Sequence, residues 1–177
     1  ERFLHTIEQS LGVYRRSQFF GWAQGALQSL LPHEMLLCVR GDLPAFRFHC
    51  DAYSCFVDER HILQKLIDPV DGLLTTIVQT WLGSGRRPLL YSAQAENADN
   101  DETARRLRRL GCGHVLAHGA RDVSSAEGSF FVFMRMPEAP QSPQGYLLEL
   151  VMPYLHMALN RMPLGAGDAE RPARPAR

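Results

Sequence analysis

A change of hydrophobic period early in the chain limits the fold more than any other feature. Residues 16–31 place Phe19, Phe20, Ala23, Leu27, Leu30 and Leu31 at helical spacing, with Gln18, Gln24 and Gln28 opposite, and Pro32 stops the pattern. The compact run MLLCV follows at 35–39, ending at Arg40, Gly41 and Asp42, which read as a turn. Phe46, Phe48 and Cys50 then alternate with Arg47, His49 and Asp51, the period-two pattern of a strand with one wet face. Tyr53, Cys55 and Val57 extend the strand past a bulge. Neighbouring strands joined this closely pair antiparallel, because a parallel pair needs a long crossover.

The rest of the chain repeats both periods. Phe3, Leu4, Ile7 and Leu11 form a first helix interrupted by Gly12, and Asp58 caps a helix that runs to Leu66. Asp71 caps the next, 72–82, which ends at Gly83-Ser84-Gly85. Residues 88–92 form a short strand. Asn100 caps a helix over 101–110 with Asp101 and Glu102 in its favourable first turn. Residues 113–120 and 129–136 are two more strands, and 137–145 a Pro-rich loop. A last helix spans 144–161 with an apolar stripe of Leu147, Leu150, Val151, Tyr154, Leu155, Ala158 and Leu159, and Pro153 kinks it or delays its start. The order α-α-β-β-α-α-β-α-β-β-α predicts an α+β domain over residues 1–162, an antiparallel sheet flanked by helices. Residues 163–177 have no large apolar side chain after Leu164 and read as a flexible linker to a further domain.

Bulk properties exclude several functions. The 177 residues carry 19 basic and 19 acidic side chains. A net charge of zero gives no general attraction to nucleic acid or anionic lipid. No apolar run approaches the roughly 20 residues that cross a bilayer, so no membrane partner is expected. Four cysteines without a dense spacing pattern point to reduced thiols and a cytoplasmic protein.

Chemistry-bearing motifs are sparse. Cys112, His114 and His118 share strand parity, but when extended they span about 20 Å, too far for one zinc ion. No metal or cofactor is expected. Asp99, Asp101 and Glu102 lack the glycine and distal glutamate of a calcium loop and read as helix caps. The Gly83–Arg87 turn lacks the lysine of a phosphate loop, and no G-x-S-x-G elbow occurs. Arg105, Arg106, Arg108 and Arg109 form a basic helix face, too few for an independent DNA binder. Sidedness alone selects Arg47, His49, Tyr53 and Trp81 as candidate lining groups of a small-molecule pocket between sheet and helices.

Three stretches taken together carry a resemblance. RRSQFFGWAQGALQSLLPHEMLLC (15–38), DGLLTTIVQTWLGSGRRPLLYS (71–92) and LLELVMPYLHMALNRM (147–162) resemble the N-terminal region of the LuxR-type regulators called EpsA, associated with bacterial exopolysaccharide gene clusters. The resemblance implies a GAF-like or autoinducer-domain-like α+β module, then a short linker and a helix-turn-helix. The linker corresponds to 163–177. No helical pair follows Arg161, so the family's DNA-binding residues have no positions here and DNA contact is expected only through an absent C-terminal domain. The Trp/Tyr/Asp ligand set of the lactone receptors is not carried onto Trp22, Tyr53, Asp71 or Trp81.

The expected function is therefore non-enzymatic: a regulatory input and homodimerisation domain of a transcription factor, with a possible small-molecule ligand. Broad apolar stripes select Phe20, Leu27, Leu147, Val151, Tyr154 and Leu155 as dimer-contact candidates. Two rivals stand beside this reading. One is a small cytoplasmic enzyme built on His49, His114, His118 and the cysteines. The other is a ligand-free scaffold.

Overall fold

The computed structural model describes residues 1–54, 60–68, 70–92 and 101–163. Its elements are α1 (Arg2–Ser10), α2 (Arg16–Gln24), α3 (Ala26–Leu30), β1 (Met35–Asp42), β2 (Arg47–Ser54), α4 (Arg60–Ile67), α5 (Leu73–Gly83), β3 (Leu89–Tyr91), α6 (Glu102–Arg109), β4 (His114–Arg121), β5 (Gly128–Met136) and α7 (Ser142–Arg161). The strands form one antiparallel sheet in the order β2-β1-β5-β4-β3. The expected α+β class is the observed one.

Both faces of the sheet are covered. Leu36, Cys38, Tyr53, Leu116, Phe131 and Phe133 face one way and pack against α2, α3 and α7. Met35, Leu37, Val39, Val115, Ala117, Phe130 and Val132 face the other way and pack against α4, α5 and α6. Strand alternation sorts these two sets. The face of β2 expected to be wet lies on the α2 side, where Asp51 is only 8% exposed and Tyr53 3%.

Several boundaries differ from expectation, each for a local reason. Residues 16–31 make two helices, broken at Gly25, whose backbone (φ −103°, ψ −100°) is not helical. A Cβ there would lie 2.9 Å from the Gly21 carbonyl oxygen. Arg40, Gly41 and Asp42 belong to β1, and the hairpin turn is Leu43–Phe46, where Phe46 takes φ 53° and Asp42 accepts from the Ala45 amide. Pairing from Met35↔Ser54 to Asp42↔Arg47 is continuous, so the bulge expected before Tyr53 is absent there. An irregularity occurs instead in β4, between His114 and Leu116.

Caps also move. Helix α5 is capped at Gly72 rather than Asp71. Asp101 caps α6, accepting from the Thr103 and Ala104 amides at 2.9 and 3.3 Å. Helix α7 begins at Ser142, with a proline in its first turn, and runs unbroken through exposed Pro153. The expectations placed on Cys55, Val57, Asp58, Asp99, Asn100 and the 164–177 segment lie outside the described residues.

Candidate functional site

Three of the four candidate lining residues share one strand face. Arg47, His49 and Tyr53 have the same parity on β2, whereas Trp81 packs against the opposite side of the sheet. The four therefore do not form one pocket. Arg47 is exposed at the hairpin and pairs with Asp42 at 3.4 Å. His49 Nε2 lies 3.5 Å from Asp51 Oδ1.

The residue that organises this face is Asp51. Arg16, in the first turn of α2, donates to Asp51 Oδ1 at 2.5 Å. The same guanidinium sits 5.3 Å over the Tyr53 ring. A guanidinium bound to a buried carboxylate and stacked on an aromatic face is held in one orientation. Phe20, one turn along α2, lies nearly parallel to Tyr53 with ring centroids 6.4 Å apart, and remains 38% exposed. Arg16, Ser17, Phe20, Ala52, Tyr53 and Ser54 line an open cleft of about 490 Å³. The Tyr53 hydroxyl is buried without a hydrogen-bond partner among the described residues, and burial pushes its ionisation well above the usual phenol value.

On the opposite face the centre is Trp81. Its Nε1 donates to His118 Nδ1 at 3.0 Å, and its ring meets Phe130 edge-on at 5.3 Å. A Cβ at Gly119 would come within 2.8 Å of the Trp81 ring, so glycine makes the room in which the indole sits. A cavity of about 10 Å³ lies here, lined by Leu43, Pro44, Trp81 and Arg86 among others. Burial lowers the pKa of His118 to about 4, so the ring is neutral and accepts the indole proton. The β4 irregularity between His114 and Leu116 changes the side-chain relation that simple strand parity gives His114 and His118, and among the described residues no group of three metal-ligating side chains converges.

A second cleft, about 360 Å³, lies between α4, the turn after it, and α6, and is lined by Lys65, Asp68, Asp71, Arg106, Arg109 and Leu110. Arg106 donates to the Asp71 carbonyl at 2.6 Å, and Arg105 pairs with Glu102 on its own helix. The arginine face is thus partly committed within the fold.

The dimer-contact candidates divide. Leu27, Val151 and Leu155 are fully buried in the chain's own core and cannot reach a partner without unfolding. Their stripe is satisfied by the sheet. Leu147 and Tyr154 are half-buried and Phe20 partly exposed. The apolar face that α7 presents outward is Tyr146, Leu150 and Met157, at 63%, 42% and 45% exposure.

Sequence reasoning missed the fastening of the α7 C-terminus. An amino nitrogen of Arg40, in β1, donates to the carbonyls of Leu159 and Met162 at 3.0 and 2.8 Å. Ser129 Oγ and His156 Nδ1 are 2.5 Å apart, and Arg161 reaches the Ser10 and Leu11 carbonyls. A cation at a helix C-terminus meets carbonyls that have no helical partner. No local signal marks Arg40 for this role, since its partners lie about 120 positions away.

No protein-family profile matches the chain, and no curated protein matches it in sequence. Solved structures match it in shape. The N-acylhomoserine lactone-dependent LuxR-family transcription factor CepR2 from Burkholderia cenocepacia superposes with a TM-score of 0.58 at 16% identity, over 89% of this chain and 91% of that one. SdiA from Escherichia coli gives 0.49 at 15% identity, over 89% of this chain and 65% of its own. At such identity the CepR2 likeness shows a shared fold.

Proposed function

We propose that this chain is the input and dimerisation domain of a bacterial LuxR-type transcriptional regulator. It acts in the cytoplasm on a DNA-binding domain joined through 163–177, and its targets are exopolysaccharide genes. The observation that carries this reading is the shape shared with CepR2 across nearly the whole domain. The fastening of α7 adds to it: the helix that leads into 163–177 is tied to the sheet by Arg40, so a change at the sheet can reach whatever follows. Dimerisation is assigned to the outer α7 face of Tyr146, Leu150 and Met157, bordered by Leu147 and Tyr154.

A ligand-free scaffold is the second reading, favoured by the small cavity left beside Trp81. The enzyme reading is the weakest. Burial pushes the Cys38 thiol up and Cys50 to about 12, so neither supplies a thiolate nucleophile at neutral pH. Native mass spectrometry tests the proposal. A dimer with a retained small molecule supports a ligand-sensing input domain. A dimer without added mass supports the scaffold. A monomer at all micromolar concentrations, unchanged by Leu150→Glu, defeats the dimer assignment.

A further inference from the structure

We propose that the slot between the end of α5 and two turns of the sheet, β1–β2 and β4–β5, binds a small alkyl phosphate monoester, with Arg86 and Arg121 taking the phosphate and Leu43, Pro44 and Leu82 the carbon chain. As an input to the domain, this site rests on the regulatory reading. It lies at the end of the sheet marked by Asp42, Arg121 and Gly128, the opposite end from Ser54 and Tyr91. Both arginines are exposed and line the slot, and neither side chain has an ion-pair or hydrogen-bond partner among the described residues. Arg86 instead lies over the Trp81 ring, its guanidinium carbon 5.9 Å from the centroid. Its backbone takes φ 60°, after Gly85 at 77°, and its amide closes α5 by donating to the Trp81 carbonyl at 3.0 Å. A residue other than glycine rarely accepts that backbone, so Arg86 is held there at a cost. The nearby carboxylates Asp42, Asp122 and Glu127 do not line the slot, and Asp42 and Asp122 are engaged by Arg47 and Ser124.

These features select the ligand class. Two unpaired guanidinium groups favour a doubly charged head over a singly charged one, and their planar forks match phosphate oxygens. A phosphate monoester carries a charge of about −1.5 to −2 at neutral pH. The walls formed by Leu43, Pro44 and Leu82 are aliphatic, and Gly128 admits Leu43, since a Cβ there would lie 3.1 Å from the leucine Cδ1. The enclosed part of the slot is only about 10 Å³, and its open mouth brings it to about 230 Å³. That is below the roughly 300–1,000 Å³ of drug-sized sites, so the ligand has a few carbons and modest affinity. Gly128 precedes Ser129, whose hydroxyl meets His156 of α7, so occupancy bears on one fastening of that helix.

The test is a titration of the full 177-residue chain with butyl phosphate, followed by amide and indole NMR shifts. Inorganic phosphate and butanol probe the head and the chain alone. The expected result is saturable butyl phosphate binding with a Kd on the order of a millimolar or tighter, and shifts centred on residues 43–44, 81–86 and 121–128. Inorganic phosphate should bind several-fold more weakly, and butanol should not saturate. Arg121→Gln should weaken butyl phosphate by about tenfold or more. Arg86→Gly should do the same without lowering the thermal midpoint, because glycine accepts the left-handed backbone. Arg109→Ala, on α6, should leave binding unchanged. No saturation by about 10 mM, equal binding of inorganic and butyl phosphate, or binding unchanged by either Arg86→Gly or Arg121→Gln overturns the proposal. Failure here with an intact, Leu150-dependent dimer leaves the regulatory reading standing, whereas loss of the dimer alone leaves this site standing.

Discussion

The two faces of the sheet are held by different means. On the α4–α6 face the described core is apolar and centred on Trp81 in the gap above Gly119, with the indole–His118 hydrogen bond tying α5 to β4. On the α7 face an apolar interior is bordered by polar fastenings: Arg16–Asp51, Arg40 to the end of α7, and Ser129–His156. Apolar packing is non-directional, while hydrogen bonds fix orientation. The first face therefore supplies mainly cohesion, and the second also sets the position of particular helices.

The sharpest way to break this contrast is at Trp81. Replacing it with alanine removes the central side chain of the apolar face and leaves His118 Nδ1 without its donor. The expected loss is about 3–5 kcal/mol in chemical denaturation. If the loss stays below about 1 kcal/mol, that face is not organised by the indole.

His118 offers a pH test of the same contact. Its folded pKa, about 4, lies below the unfolded value near 6.5, so the folded state disfavours the proton. The associated stability is fully present above about pH 6.5 and is lost as pH falls through about 4, on the order of 3 kcal/mol in all. His33 and His156 are shifted in the same direction, so His118→Gln should flatten the acid limb of the stability profile only in part. A profile unchanged by that substitution places the acid sensitivity elsewhere.

Arg40→Ala tests the opposite face and should cost roughly 1.5–3 kcal/mol. Its distinguishing effect is local: amide hydrogen exchange should quicken at 159–162 more than in the sheet. A uniform change would mean that Arg40 contributes general stability rather than holding the helix end. Gly119→Ala should cost about 1–3 kcal/mol by displacing the indole, and the loss should shrink in a Trp81→Ala background. The smallest effect is expected at the rim of the apolar face. Asp101→Ala removes the α6 cap for about 1 kcal/mol, read as a lowered midpoint of thermal unfolding.

The elements that were legible in the sequence are those decided by near neighbours. Strand β2 was visible because residues 46–51 alternate, and α7 because Leu147 to Leu159 recur at helical spacing. What covered each element was not visible. The α7 stripe reads equally as a core face or a dimer face, and the sheet takes Val151 and Leu155 for the core. Gly25 looks like a tolerated glycine in one helix, yet its backbone leaves the helical region, where a Cβ would lie 2.9 Å from the Gly21 carbonyl oxygen. The shared face of His49 and Tyr53 was not legible, because the bulge expected before Tyr53 would have put the two on opposite faces, and the continuous pairing of β2 removes it. Neither was the role of Arg16, because it meets Asp51 from 35 positions away and no local pattern marks the pair. Trp81 was grouped with His49 and Tyr53 by sidedness, but the apolar stripe of a helix does not say which side of a sheet that helix covers.

The grip of Arg40 on the far end of α7 has a mechanical consequence. A 20-residue helix is about 30 Å long, so a tilt of roughly 10° about its start would swing its tip by about 5 Å. Unfastened, such a rod would turn small disturbances near Pro88 and Leu90, beside Gly145, into wide uncertainty at residue 163. Pinned at the tip by β1, it works as a pointer: the heading of the chain as it leaves the domain is set by the middle of the sheet.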